Sequence, residues 1–160
     1  MMGRALLIVG WVATAGLVLT AAAGYLFTPE EGGIGVHLAL ALASSLLLLF
    51  SHCWIMFYLI GTGKAIKEAV ADHDLDADLI ERTKEFKNRS YGLLMLAMGV
   101  TMAAFILGGG VYTRVIPPWA HHGLFYLALL TQVRALVVER AVLVENDRLM
   151  VSIDRRLKGR

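Results

Sequence analysis

The chain has 160 residues, of which 58% are hydrophobic and 18% charged, against about 45–50% and about 25% in an ordinary soluble domain. That composition excludes intrinsic disorder, and a formal net charge of +2 gives no footing for nucleic-acid binding. One cysteine excludes a disulfide framework and a cysteine-rich zinc site.

The apolar residues gather in four long blocks. A bilayer core about 30 Å thick is crossed by roughly 20 apolar helical residues, and backbone in lipid must bond within its own segment. The expected fold class is therefore all-α: a polytopic membrane four-helix bundle forming one integral domain. The first block runs from Ala5 to about Phe27 without a charge. Arg4, the apolar run and Ala21-Ala22-Ala23 also have the form of a secretory signal. The 23 uncharged residues exceed the usual signal core of about 7–15, so a retained span is expected. Gly16, Thr20 and Gly24 make a stripe of small residues suited to close helix packing.

The second block runs from Ile34 to about Gly61. His37, Ser44 and Ser51 recur every seven residues, which keeps them on one face. His52 lies beside that face, about 22 Å along the axis from His37. Cys53 points about 100° away from His52 on the helix, so the two do not make an aligned nucleophile pair. Lys64 to Val70 are good helix formers, so this helix is expected to continue to about Asp72. The aspartate-rich stretch to Asp78 reads as a turn. Counted from Asp74, its sixth position is Leu79 where a calcium loop needs glycine. Asp78 and Glu81 have capping-box spacing, opening the next helix. A helical hairpin over about 62–90 thus joins the second and third spans.

The third block runs from Tyr91 to about Tyr112. Met95, Met98 and Met102 form a stripe that reads as packing, and Gly108-Gly109-Gly110 sit near its end. The fourth runs from about Ile116 to about Leu143, interrupted by Arg134, Glu139 and Arg140. His121, Gln132 and Glu139 share one face of it, and His122 shares another with Arg140. A tail of about 144–160 follows.

Basic residues set the expected orientation. Arg4 precedes the first span, six lysines and arginines lie between the second and third, and five follow the fourth. Arg114 alone falls in the other two loops. The positive-inside rule then places both termini and the hairpin in the cytoplasm, in an integral protein of a bacterial cytoplasmic membrane.

Polar groups inside spans are costly and are functional candidates by default. The first expectation is a haem b subunit for electron transfer. His37 with His121 or His122 would supply axial ligands at one depth near the outer end, with Gly108–Gly110 making room. His52, Tyr91, Gln132 and Arg134 would form a second polar group nearer the cytoplasm, suited to a quinone carbonyl or a further haem. The second expectation is copper held at the outer face by His37, His121, His122 and Met102, since imidazole and thioether suit that metal. The third is a cofactor-free accessory or scaffold subunit. It would dock on a protein partner, or on copies of itself, through the hairpin and tail, with Arg134, Glu139 and Arg140 as an ion cluster. No Walker loop, dinucleotide fingerprint or zincin motif occurs, so no enzymatic activity is assigned. No broken central helix, inverted repeat or acidic ring suggests a transporter.

Overall fold

The computed structural model describes residues 2–26 and 33–158. Met1, the link of residues 27–32 between the first two blocks, and the last two residues of the tail lie outside that range. The described chain is all-helical, with α1 (Met2–Leu26), α2 (Gly33–His73), α3 (Asp78–Tyr112) and α4 (Pro118–Lys158).

Three helices, α1, α2 and α3, are long and apolar enough to cross a membrane. The expectation of four such segments is met in helix count but not in hydropathy. Arg134, Glu139 and Arg140 interrupt the apolar stretch of α4, and that helix falls short.

Contacts run α1 to α2, α2 to α3, α3 to α4 and α4 to α1, with a thinner contact of α2 on α4. Two apolar clusters fill the interior. The larger contains Leu6, Ile55, Leu94, Ala135 and Leu143, and continues to Ile66, Leu79, Phe86, Leu149 and Ile153. The smaller is Ala13, Leu17, Leu48 and Met98. At 1.5 Å per residue α1 is about 37 Å long, while α2 and α4 are about 60 Å. The longer helices therefore run on beyond α1 at the end where the chain termini lie.

The expected hairpin is present as the continuous extensions of α2 and α3. The expected tail does not leave the bundle as far as Lys158. It is the last turns of α4, and its Leu149 and Ile153 are buried in the same cluster as Ile66 and Leu79.

Two helix ends show how the chain reverses. Asp74 (φ 49°) and Arg114 (φ 61°) are left-handed. The amide of Leu75 bonds the Val70 carbonyl at 3.2 Å, and that of Val115 bonds the Gly110 carbonyl at 2.9 Å. These are Schellman closures, with Leu75 and Val70 packed on the same cluster. The expected capping box does not form as read. Asp78 is already the first residue of α3, and Ala77 at the cap makes no side-chain bond. The Asp76 carboxylate instead accepts the Asp78 amide at 2.9 Å.

On the surface, Arg89 donates to both oxygens of Glu145 at 2.8 and 3.2 Å. Both side chains are about two-fifths exposed. Water screens such a pair, so Arg89→Ala is expected to lower unfolding free energy by less than about 1 kcal/mol, measured by denaturant titration in micelles.

Candidate functional site

A polar layer crosses the middle of the fold, made by three helices. The seven-residue steps of α4 carry Gln132, Glu139 and Asn146 down one inward face, and all three are fully buried. His52 of α2, also fully buried, sits between the first two. Its Nδ1 lies 2.6 Å from Glu139 Oε1, and its Nε2 lies 2.7 Å from Gln132 Oε1. Gln132 Nε2 donates to Thr14 Oγ1 of α1 at 3.2 Å, and the Thr14 hydroxyl donates to the Gly10 carbonyl at 2.8 Å.

The direction of this chain determines where its protons are. The Thr14 hydrogen is committed to Gly10, so Thr14 accepts from Gln132, and the Gln132 oxygen must face His52. His52 Nε2 therefore carries a hydrogen. One further proton is shared between His52 Nδ1 and Glu139, and the pair is net neutral whichever atom holds it. That neutrality is how α4 tolerates a carboxylate in its apolar stretch, since an unpaired buried charge would cost several kcal/mol. One valence is left open: Glu139 Oε2 is buried and has no hydrogen-bond partner.

Below this layer, Asn146 Oδ1 accepts from Thr62 at 3.1 Å, while its Nδ2 is buried without a partner. Beside it the Tyr58 hydroxyl donates to Asp147 at 2.9 Å. Asp147 lines a cleft of about 240 Å³ between α1 and α4, with Gly3, Arg4, Leu7 and Arg148.

A second arrangement lies toward the other end. His37 Nδ1 is 2.9 Å from the Thr20 carbonyl of α1, with its ring against Gly24. His121 Nδ1 is 3.0 Å from the Ala104 carbonyl of α3, with its ring against Gly108. The two descriptions differ by one offset of 84 residues (20 to 104, 24 to 108, 37 to 121). The hairpin α1–α2 is thus repeated in register as α3–α4. Ala13 and Ala97, and Leu59 and Leu143, are further identical and buried counterparts. A carbonyl only accepts, so each Nδ1 is the protonated nitrogen and each Nε2 keeps its lone pair free.

Packing changes along the fold in the same direction. The large side chains with no exposure, from Leu48, Leu94 and Gln132 to Leu149, all lie at or below the Leu48 level. Beyond Leu17 and Leu48 toward the histidines, the buried residues are small: Thr20, Ala23, Ser44, Ser45, Thr101, Ala104, Ala128 and Thr131. Leu40, Phe105, Leu124 and Phe125 there stay half-exposed.

The remaining candidates separate from both groups. His122 is exposed and faces the Tyr25 ring, 5.4 Å away. Tyr91 is half-buried and donates to the Met56 carbonyl at 2.8 Å. Arg134 and Arg140 are exposed, so Glu139 does not join them in an ion cluster. Both nitrogens of His52 are taken within the polar layer. Met102 is exposed while Met98 is buried. No three histidine, cysteine or carboxylate side chains among the described residues stand close enough together to hold a metal ion. Ser44 and Ser51 turn toward α1, where Ser51 donates to the Leu6 carbonyl at 3.2 Å.

Comparison with protein-family models, with curated proteins and with solved structures found no match.

Proposed function

We propose that this chain is a haem b-binding electron-transfer subunit of a bacterial cytoplasmic membrane. In this reading all four helices cross the bilayer as a bundle, with both termini and the 62–90 hairpin on the cytoplasmic side. The observation that carries it is the repeated histidine clamp. His37 and His121 each spend Nδ1–H on a carbonyl of the preceding helix. That is the second bond that orients a metal-ligating imidazole and raises its basicity. Two such rings from α2 and α4, with free Nε2 atoms at matched depth, are the donor set of a bis-histidine haem.

The donor set fits the group in its surroundings as well. The small buried residues and half-exposed aromatics at that level suit a flat macrocycle better than they suit a closed apolar core. Bound there, haem would supply one-electron transfer. The protein's part is to hold the two imidazoles in one tautomer and to keep water from the ring faces. Electron exchange with a membrane quinone belongs to the same reading. Tyr91 and Arg134 are the polar groups left for it, because His52 and Gln132 are bonded to each other.

The test is an absorption spectrum with metal analysis of the purified protein. A Soret band with bis-histidine character and one iron per chain is the expected result. A colourless protein with neither iron nor copper would instead favour a cofactor-free subunit of a larger assembly.

A further inference from the structure

We propose that Glu139 is a proton-binding site, reached by water from the cleft at the terminal end of the helices through Asp147, Tyr58 and Asn146. The inference does not depend on haem. It begins from two polar atoms left open inside the core, Glu139 Oε2 and Asn146 Nδ2. Each loses its hydration on burial, and a polar group left there without a partner is costly. They stand on the same face of α4, seven residues apart and hence about 10 Å along the axis. No other orphaned side-chain atom among the described residues lies below the polar layer; Thr101 Oγ1 is on α3, above it.

A short file of waters between them would have what buried water requires. The first would donate to the carboxylate oxygen and the last would accept from the amide nitrogen, with the Thr62 hydroxyl nearby. The ladder continues downward. Asn146 is followed by Asp147, whose carboxylate holds the Tyr58 hydroxyl and lines the open cleft with Arg4 and Arg148. Polar groups thus lead from solvent to Asn146, and the file of waters would span the rest to Oε2.

The proton balance follows from the bond directions. His52 Nε2–H is held by Gln132, and one proton is shared between Nδ1 and Oε1. An incoming proton therefore has one unoccupied acceptor, Glu139 Oε2, and binding it takes the site from net zero to +1. Losing the shared proton would set the Nδ1 lone pair against a carboxylate oxygen at 2.6 Å, so the open position is Oε2. Gln132 of α4 bonds the pair directly, and Thr14 of α1 bonds Gln132. Asn146 of α4 with Thr62 and Tyr58 of α2 lies below the layer, and Tyr91 of α3 is held on the Met56 carbonyl. Arg4, Asp147 and Arg148 stand at the mouth.

Infrared difference spectra of the full chain in nanodiscs, between acid and alkaline buffer, test this. We expect a carboxylic C=O band at the high frequency of a buried acid. It should move with isotopically labelled glutamate, shift in heavy water, and be absent from Glu139→Gln. The glutamine can still bond His52 Nδ1, and the labelling assigns the band even if that variant does not fold. Asn146→Leu should slow proton–deuteron exchange of the band at least tenfold. A wild-type chain with no titrating buried-glutamate band overturns the site. Exchange as fast in Asn146→Leu as in wild type overturns the route.

Discussion

Replacing Glu139 with alanine is expected to cost about 3–5 kcal/mol of folding stability, the largest single effect in the molecule. The loss exceeds the worth of one hydrogen bond because of what remains. His52, fully buried between α2 and α4, would keep either an uncompensated charge or a bare Nδ1 lone pair in the interior. Removing the whole layer should be far milder. In the repeated half the same three places hold Leu48 (for Gln132), Leu136 (for His52) and Ile55 (for Glu139), all fully buried. The triple variant His52→Leu, Gln132→Leu and Glu139→Ile should therefore lie between neutral and about 1–4 kcal/mol more stable than wild type. Thr14 would still satisfy itself on the Gly10 carbonyl. Denaturant unfolding in micelles, followed by tryptophan fluorescence, measures both. A triple variant as damaged as the single one would show that the network, and not the orphaned group, holds the helices together.

Alanine at either His37 or His121 is expected to abolish bis-histidine haem binding, and the equivalence of the two clamps predicts equal losses. The glycines sharpen this test without touching a ligand. A Cβ on Gly24 would stand 2.9 Å from His37 Nδ1, and one on Gly108 would stand 3.1 Å from His121 Cε1. Gly24→Val and Gly108→Val should turn the rings off their carbonyls and weaken haem binding at least tenfold, about 1.4 kcal/mol. Gly109→Ala, which meets nothing within 4 Å, should leave it unchanged. Haem titration by absorbance reads all of these. Unaltered bis-histidine binding in His37→Ala would overturn the assignment.

Much of the fold was legible in the residues. Uncharged runs marked the first three helices, and Lys64–Val70 announced that α2 would not stop at the membrane. The acidic turn before Asp78 marked the reversal. The packing of the tail was not legible because Leu149 and Ile153 carry too little apolar weight to stand out among arginines, although their four-residue spacing is that of a buried helix stripe. The polar layer was half legible. Gln132 and Glu139 share a face by spacing, and His52 matches them in depth. Which helix His52 turns toward depends on rotation about the α2 axis, and that is set by packing. His52 sits next to Ser51 in the chain, yet Ser51 faces α1 and His52 faces α4. The internal repeat escaped because few positions are identical between the halves. Its one visible trace is a glycine thirteen residues before a histidine, at Gly24 and His37 and again at Gly108 and His121.

The mismatch between the halves at the central layer bears on why they are joined. Two identical hairpins placed face to face make every contact twice, residue i of one on residue j of the other and the reverse. A histidine reaching a glutamate across the middle would then be repeated as a second such pair. No arrangement of that kind yields a lone pair with a single shared proton. Joined in tandem, each half is free to differ. One contributes the imidazole and the threonine, the other the carboxylate and the amide, and a lone directional hydrogen-bonded string runs across an otherwise twofold scaffold.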